Sequence, residues 1–474
     1  MTNSWSIGKK RDRLQLDHMK KMMMSVFLWY IKFLAKLQLK KNNPLIIGVT
    51  GSAGKTSALN SIEAVLKDIS DKKIKISHKA NSEVGLPLDI LGITVYDFSI
   101  NSWVKIFFLA LWKLLTNWKK IDIYVAEMGI DSPFPPKNME YLLSFLQPNG
   151  GVFLNADAVH SETFDCLVKE TDPQKRNTAI IHAIAREKGK LITSLPSNGF
   201  AVLNEGDLEV ARFIEKTPAK IFTFGMGEKK QLEKKITTKI ILTNWKASLK
   251  GTTFEYLYKN KDKEEKHTVQ FSRFLLPKNF GLSLAAALNV GLALDVPLDR
   301  AIKNLEKNLV IPPGRSSLIP GIIGSFIIDS SYNASLQPVL EMLDLLDELE
   351  VKRKIAVLGD MREMGEEAGE AHQQVIKKAL EKTDLLILVG PLMKKYAASY
   401  IDSIKVHWFT NSQQVVEFLK PKLKRDDLVL VKASQNTLLL EIVVEQLMAE
   451  PHTTNELLCR RGAYWDKKRK QLIG

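Results

Sequence analysis

Short apolar runs separated by polar loops and helical stretches repeat along most of the chain. The runs of the first half are LIIGV (45–49), IDIYVA (121–126) and GVFL (151–154). Those of the second half are FIID (326–329), KIAVLG (354–359), LLILVG (385–390), KVHWF (405–409) and DLVLVK (427–432). Continuous apolar runs of this length are typical of strands buried on both faces of a parallel sheet. The pattern therefore predicts two α/β units.

Two segments interrupt this alternation and indicate how the chain divides. Residues 236–275 alternate polar and apolar positions, which predicts an antiparallel meander. The IPPGR turn at residues 311–315 marks a boundary, since proline and glycine end regular elements. We predict an α/β protein with four parts: a short helical N-terminal extension (1–43), a P-loop central domain with a parallel sheet (44–311), a Rossmann-like C-terminal α/β domain (312–448) and a basic tail (449–474).

The N-terminal extension contains the most apolar stretch of the chain, residues 22–39. Its uncharged core, Met22–Ile31, has ten residues, whereas a membrane-spanning helix needs about 20. No small-residue cleavage site follows, so a removable signal peptide is not expected. With Lys32 and Lys36 one helical turn apart, the stretch is typical of a helix lying in a membrane interface. An amphipathic helix packed on the protein's own core gives the same pattern, and the sequence leaves both open.

Composition and charge narrow the class of protein. The 474 residues are 45% hydrophobic and 26% charged, as in soluble multidomain proteins. Two cysteines, Cys166 and Cys459, cannot form a disulfide framework, which favours a reducing cytoplasm. Of the net charge of +15, residues 1–41 contribute +8 and residues 459–474 contribute +5. Because the basic charge is confined to the two ends, no nucleic-acid partner is predicted.

A phosphate loop is the strongest local signal. The segment TGSAGKTS lies between a buried strand and a helix, and its small residues let backbone N–H groups surround phosphate oxygens. Lys55 is expected to reach the β- and γ-phosphates of a nucleotide, and the Thr56 hydroxyl to bind Mg²⁺. Val49 stands where the strict motif has glycine, so this is a variant loop. Its nucleotide-binding residues are Thr50, Gly51, Ser52, Ala53, Gly54, Lys55, Thr56 and Ser57.

This loop and four later segments resemble the Mur ligase family, whose loop also lacks the early glycine. The segments are NSEVGLP (81–87), AEMG (126–129), IDSSYNA (328–334) and LGDMREMG (358–365), the last followed by His372. The resemblance covers about residues 45–448 and is greatest to the members that add a terminal dipeptide. It implies that ATP activates a carboxylate as an acyl phosphate, which an incoming amine then attacks.

The resemblance also implies a metal site. Glu127, at the end of a predicted strand, is expected to hold Mg²⁺ together with Thr56. His160 matches a ligand of a second Mg²⁺. Lys188 matches a carbamylated lysine whose new carboxylate helps to hold that second ion. The candidate catalytic residues are Lys55, Lys188, His160 and, in the C-terminal domain, Arg315.

Four more positions are expected to contact the nucleotide. Arg315 and Asp329 match nucleotide-contacting residues of the family's C-terminal domain, and Arg315 is expected to neutralise charge on the transferred phosphoryl group. Asn279 and Ser283 stand where the family has the His and Asn of its adenine-side motif.

Three features depart from the family's pattern. About 44 residues precede the loop, where the family's peptidoglycan ligases usually have a UDP-sugar-binding domain of about a hundred residues. Gln435 replaces the arginine of K-G-S-R. The tail 458–474 is unmatched.

We therefore expect an ATP- and Mg²⁺-dependent ligase of peptidoglycan precursor synthesis that joins D-Ala-D-Ala to a UDP-muramoyl-tripeptide. It is expected to be a cytoplasmic monomer, with peripheral membrane contact through residues 1–41. One alternative is a Mur-type ligase or amidating enzyme acting on a lipid-linked muropeptide, with residues 103–118 also touching the membrane. Another is a P-loop ATPase or scaffold without ligase activity.

Overall fold

The chain folds into two compact units in the computed structural model. The structure describes residues 3–68, 72–78, 80–95, 100–158, 163–227, 235–272, 274–362, 364, 368–401, 403–434 and 437–473. The first unit comprises Met1–Ile241, Leu257–Glu265 and Leu282–Asn308. The second comprises Leu242–Tyr256, Lys266–Gly281 and Leu309–Gly474. The chain thus passes repeatedly from one unit to the other.

The first unit contains a parallel sheet of six strands in the order β2-β3-β1-β4-β5-β6. The strands are β1 (Leu45–Thr50), β2 (Ile74–Ile76), β3 (Ile123–Glu127), β4 (Gly150–Phe153), β5 (Phe200–Asn204) and β6 (Lys220–Met226). The helices are α1 (Asn3–Asn42), α2 (Lys55–Leu66), α3 (Gly85–Leu91), α4 (Ile100–Thr116), α5 (Met139–Leu143), α6 (Pro173–Thr193), α7 (Leu208–Ala211), α8 (Phe280–Ala293) and α9 (Leu298–Asn308). A 3₁₀ turn occupies Asp165–Leu167.

Three consecutive strands form the meander that the polar-apolar alternation predicts. They are β7 (Ile236–Ser248), β8 (Gly251–Lys259) and β9 (Glu264–Phe271), and they are neighbours in chain order. Only two residues join β7 to β8, and a connection this short can link only antiparallel strands. The chain changes unit within this meander.

The second unit contains a six-stranded sheet in the order β10-β11-β15-β12-β13-β14. Its strands are β10 (Ser317–Pro320), β11 (Phe326–Ser330), β12 (Arg353–Gly359), β13 (Leu385–Val389), β14 (Val406–Phe409) and β15 (Asp427–Lys432); only β10 is antiparallel. The helices are α10 (Leu336–Glu348), α11 (Ala368–Lys382), α12 (Pro391–Ala397), α13 (Ser412–Leu419), α14 (Glu441–Leu447), α15 (Thr454–Leu457) and α16 (Ala463–Ile473). Short 3₁₀ turns occupy Ile322–Gly324, Lys420–Lys422 and Pro451–Thr453.

Burial on both faces explains why the strands of the second unit read as unbroken apolar runs. Along β12, Ile355 and Val357 belong to one core layer, while Ala356 and Leu358 belong to the layer on the other face. Successive side chains of a strand point to opposite faces, so both faces need apolar residues. The prediction of a parallel α/β fold with a Rossmann-like second sheet is confirmed.

The N-terminal helix α1 has one packed face and one exposed face. Phe27, Leu28, Ile31 and Leu34 are buried in a cluster with residues of α3 and α4. Lys36 is exposed, whereas Lys32 is half-buried: its Nζ donates to Ser144 Oγ (3.4 Å) and lies over the Tyr141 ring of α5. Among the described residues, Met22–Asn42 is the one helical stretch whose length and composition would allow it to cross a membrane, and a third (33%) of its most apolar 18 residues are buried.

Candidate functional site

The predicted phosphate loop connects β1 to α2 in the first unit. Gly54, just before the helix, has φ 79°, a left-handed conformation that favours glycine. Ser52 N donates to Asn155 O (3.0 Å) and Ala53 N donates to Asn155 Oδ1 (2.8 Å). The loop is therefore held in shape by the residues that follow β4, the strand beside β1. Thr56 and Ser57 lie in the first turn of α2 and are half-buried.

Lys55 lies over this loop. Its Nζ donates to Gly51 O (2.7 Å) and Ser52 O (3.3 Å). Burial lowers the pKa of Lys55, while the carboxylates of Glu127 and Asp131 partly counteract that shift. A lysine between phosphate-loop carbonyls and two carboxylates is placed to meet a nucleotide phosphate.

Glu127 lies at the same edge of the sheet. It is the last residue of β3 and is in register with Val49 of β1. Its backbone N donates to Ser77 Oγ (2.7 Å), and its Oε1 accepts from Asn81 Nδ2 (3.3 Å). The carboxyl ends of neighbouring parallel strands meet at one edge, which explains why sequence position alone located this residue.

The NSEVGLP segment forms part of a small cleft beside Glu127. The cleft is lined by Asn81, Ser82, Glu83, Gly129, Asp131, Pro136, Lys137 and Leu142. Its carboxylate and lysine groups make it suitable for a polar ligand. The sequence did not identify Asp131 as a site residue, although it follows β3 by only four positions.

Lys188 is a buried lysine in the middle of α6, with 5% of its surface exposed. Burial, and to a smaller extent the nearby charge of Lys55, lower the pKa of its amine to about 7, while Asp131 opposes the shift. At neutral pH about half of such amines are unprotonated. Of the other predicted site residues, His160 lies outside the described part of the chain. Gln435, where the sequence departs from the family's pattern, also lies outside it.

The donor groups suit a magnesium ion. A carboxylate at Glu127 and a hydroxyl at Thr56 are the hard oxygen ligands that Mg²⁺ prefers. Within the residues that the structure describes, no group of three or more His, Cys, Asp or Glu side chains could hold a metal. An amine at Lys188 is a poor magnesium ligand, but a carbamate there would provide a further carboxylate.

Asn279 and Ser283, four residues apart, belong to different units. In the first unit, the Ser283 hydroxyl is 3.6 Å from the position that a Cβ at Gly54 would occupy, so Ser283 lies beside the phosphate loop. In the second unit, Asn279 Nδ2 donates to Glu341 Oε1 (2.6 Å). The boundary at Gly281 and Leu282 separates the two residues, a division that sequence spacing does not predict.

Asp329 and Arg315 lie in the second unit near the carboxyl ends of β11 and β15. Asp329 is fully buried, and its Oδ1 accepts from Ser331 N (3.0 Å), whereas its Oδ2 accepts no hydrogen bond from the described residues. Burial raises the pKa of Asp329. The Arg315 guanidinium lies 4.7 Å from the centre of the Tyr332 ring. Burial and the charge of Arg315 also lower the pKa of Lys432 to about 8.

The basic tail contributes a residue that sequence reasoning missed. Arg460 Nη1 donates to Glu441 Oε2 (2.8 Å) and to Ser331 O (3.3 Å), and its Nη2 donates to Tyr332 O. Arg460 and Glu441 are both buried. The tail is thus packed against the turn that follows β11. No local pattern in a run of basic residues distinguishes this arginine from its neighbours.

His372 supports the backbone of the LGDM segment. Met361 N donates to His372 Nε2 (3.0 Å), and the Nδ1 of the same ring is 2.6 Å from Ala368 O. A neutral ring that is protonated on Nδ1 satisfies both contacts, and burial lowers the pKa of His372. The residue therefore has a structural role in positioning Asp360 and Met361.

Comparisons with known proteins agree with this architecture. A family model described as "Mur ligase middle domain" matches residues 49–275, and one described as "Mur ligase, glutamate ligase domain" matches residues 314–435. The chain is 25% identical over 417 residues to the UDP-N-acetylmuramoyl-tripeptide–D-alanyl-D-alanine ligase of Buchnera aphidicola (87% of this chain, 77% of the relative). It is 25% identical over 425 residues to the Bacillus subtilis enzyme of the same name (88% and 79%).

Solved structures show the same fold. A MurF ligase from Thermotoga maritima in complex with ADP superposes with a TM-score of 0.66 at 23% identity, covering 88% of this chain and 83% of that one. MurF from Acinetobacter baumannii gives a TM-score of 0.66 at 18% identity, covering 89% and 80%.

Proposed function

The chain belongs to the Mur ligase family, and on that basis we propose that it is an ATP-dependent ligase that joins D-alanyl-D-alanine to a UDP-muramoyl-tripeptide. The relatives that match over most of the chain carry that activity in their names. The proposal rests mainly on one observation: one unit contains a phosphate loop, Lys55, Glu127 and the buried Lys188.

The proposed reaction has two steps. A carboxylate oxygen of the tripeptide attacks the γ-phosphorus of ATP, and ADP leaves to give an acyl phosphate. The amine of the dipeptide then attacks the acyl carbon, loses a proton and displaces inorganic phosphate. Phosphoryl transfer of this kind depends on positioning and charge neutralisation.

Lys55 supplies a positive charge for the phosphates, and the amides of residues 51–54 surround the phosphate oxygens. Thr56 and Glu127 would hold Mg²⁺, which neutralises phosphate charge when it is bound. The resemblance to the family assigns Arg315 and Asp329 to contact the nucleotide. It assigns the same role to Ser283 and Asn279. Arg315→Ala should raise KM for ATP, and an unchanged KM would remove Arg315 from the site.

We assign Lys188 a carbamate. Its unprotonated amine attacks CO₂ and releases one proton, which leaves a carbamate with one negative charge in place of the neutral amine. The low pKa of Lys188 supports this assignment, because only the neutral amine reacts. His160 remains assigned to the second magnesium ion by the resemblance alone.

Phosphate release tests the proposed activity most directly. The enzyme is given ATP, Mg²⁺ and UDP-muramoyl-tripeptide, with D-Ala-D-Ala, single amino acids or ammonia as the acceptor in separate reactions. We expect phosphate release that depends on D-Ala-D-Ala, with a dipeptide-extended product identified by mass. Phosphate release that is independent of every acceptor would instead support an ATPase without ligase activity.

A lipid-linked donor is the second candidate. It is favoured by the exposed apolar residues of α1 and α4, which suit a protein that works next to a membrane. The same assay with a lipid-linked muropeptide in detergent micelles discriminates the donors. We propose a cytoplasmic monomer that contacts the inner face of the membrane peripherally through residues 1–41.

A further inference from the structure

Helices α1 and α4 expose large apolar side chains on the surface of the first unit. Tryptophans are prominent: Trp29 is 61% exposed, Trp112 is 64% exposed and Trp118, just after α4, is 76% exposed. We call the full set the apolar platform; it comprises Met22, Met23, Met24, Val26, Trp29, Phe33, Leu37, Val104, Phe107, Phe108, Leu109, Leu111, Trp112, Leu115 and Trp118. Exposed apolar surface on this scale marks an interaction site.

Contacts along their length hold the two helices side by side. The rings of Phe27 and Trp103 are 4.5 Å apart, and those of Tyr30 and Phe107 stack at 4.0 Å. Further along, Lys41 Nζ donates to Leu114 O (3.2 Å). These three pairings advance in the same direction on both helices, so the helices run parallel. The platform is therefore a preformed surface about 20 Å long, from the helical rise between Phe27 and Lys41.

The charged side chains that the two helices carry along the platform all have one sign. Residues 22–42 and 100–120 contain no Asp or Glu. Lys36 and Lys40 are exposed and follow Trp29 and Phe33 at helical spacing, and Lys105 precedes Trp112 by two turns. Lysine stems extend along apolar surface while their ammonium groups stay in water, where they meet anionic groups.

A bilayer fits this surface better than a second copy of the chain does. In a two-fold dimer, the platform of one copy would face the platform of the other, so lysines would meet lysines. The two helices offer no carboxylates there to pair with them, which disfavours association. Tryptophan and lysine side chains together are typical of protein surfaces that lie at the head-group level of a membrane. One face of α1 is already buried against the protein, so this helix cannot be surrounded by lipid as a spanning helix is.

We propose that the apolar platform is a docking surface for an anionic phospholipid bilayer, in which α1 and α4 lie together in the plane of the interface. This deepens the proposed localisation, since it assigns the contact to a composite of two helices instead of residues 1–41 alone. The apolar side chains enter the acyl boundary, and the lysines contact the head-group phosphates. Each lysine near an anionic surface strengthens binding roughly fivefold, and salt weakens that attraction.

Vesicle flotation of the full chain tests the proposal. Wild type is mixed at low ionic strength with vesicles of phosphatidylcholine alone, or of phosphatidylcholine and phosphatidylglycerol in equal amounts. We expect binding to the anionic vesicles, weaker binding at high salt, and at least about tenfold weaker binding for Trp112→Glu/Leu115→Glu. The control Leu208→Glu/Ile404→Glu makes the same charge change at exposed apolar residues elsewhere and should bind like wild type.

Three results would overturn the docking surface. The first is no binding of wild type to anionic vesicles, and the second is equal loss of binding in the two double variants. The third is a wild-type dimer, measured by light scattering, that Trp112→Glu/Leu115→Glu converts to a monomer; a second copy would then cover the platform. Ligation of a soluble donor without vesicles is measured in parallel. Its absence in wild type counts against the proposed activity and leaves the vesicle result intact.

Discussion

Lys55 and Lys188 are two cations close enough for the charge of one to lower the pKa of the other. Such a pair is unfavourable unless anions offset it, and the carboxylates of Glu127 and Asp131 do so only in part, which favours a further anion. A nucleotide phosphate at Lys55 and a carbamate at Lys188 would each provide one. At the residue scale the site is therefore organised for groups that the polypeptide itself does not supply.

Replacing Lys55 with alanine removes the phosphate-loop charge and little packing. We expect kcat/KM for ATP-dependent ligation to fall by about a hundredfold or more, with the melting temperature nearly unchanged. Lys67→Ala, at an exposed lysine at the end of the same helix, is the matched control for phosphate release and thermal melting. Ligation near the wild-type rate in Lys55→Ala would contradict the loop assignment.

Carbamylation of Lys188 should depend on pH. Because the pKa is about 7, the reactive neutral amine increases as pH rises through 7. After removal of CO₂, reactivation at equal dissolved CO₂ should be about tenfold faster at pH 8 than at pH 6.

Lys188→Ala should be inactive and partly rescued by short carboxylates such as acetate, which replace the lost oxygen ligand. Lys190→Ala, two positions along the same helix and more exposed, is the control. An unmodified mass for active wild-type enzyme prepared in bicarbonate would refute the carbamate.

Arg460 tests whether the tail is part of the folded core. Arg460→Met leaves the buried carboxylate of Glu441 without its partner, so urea unfolding should show a loss of about 3–5 kcal/mol. Arg460→Met/Glu441→Leu removes both charges and should recover most of that loss. A single variant as stable as wild type would mean that the tail packs only superficially.

At the scale of elements, one face of α1 packs against the protein and the opposite face is exposed. Ile31 is fully buried between helices, whereas Trp29 is mostly exposed, although they are two residues apart. A helix turns by about 100° per residue, so neighbouring positions along the chain serve different surfaces.

Paired substitutions on α1 separate these two faces. Ile31→Ala should lower the free energy of unfolding by about 2–5 kcal/mol because it opens a cavity. Trp29→Ala should change it by less than about 0.5 kcal/mol, since the side chain projects from the surface. Chemical denaturation measures both values. Equal effects of the two substitutions would mean that the helix is not packed as described.

At the scale of the whole molecule, the two units are interleaved along the chain. Residues 266–281 belong to the second unit, and Leu275 is fully buried in that unit's core. Ser316 Oγ donates to the Leu275 carbonyl, and Trp245 Nε1 donates to Leu276 O (3.0 Å). A fragment that begins at residue 312, the predicted boundary, would lack Trp245, Leu275 and Leu276 and so lose these contacts.

A fragment of residues 312–474 should therefore be less stable than the same unit in the full chain. We expect a melting temperature at least several degrees lower, or no cooperative transition, by calorimetry. The predicted domain bounds would instead be supported if the fragment melts cooperatively at the temperature of the intact protein.

The sequence by itself determined most of the strands, although not β2, β5, β6 or β10, together with the phosphate loop and the position of Glu127 at a strand end. Each depends on short-range information: continuous apolar runs for the parallel strands and alternation for the meander, glycine before a helix, and the end of an apolar run. Tertiary structure decided which face of α1 is covered, how low the pKa of Lys188 falls, and which arginine of the tail pairs with Glu441. It also decided that Asn279 and Ser283 belong to different units. These properties depend on burial and on partners far away along the chain, and residue spacing carries no information about either.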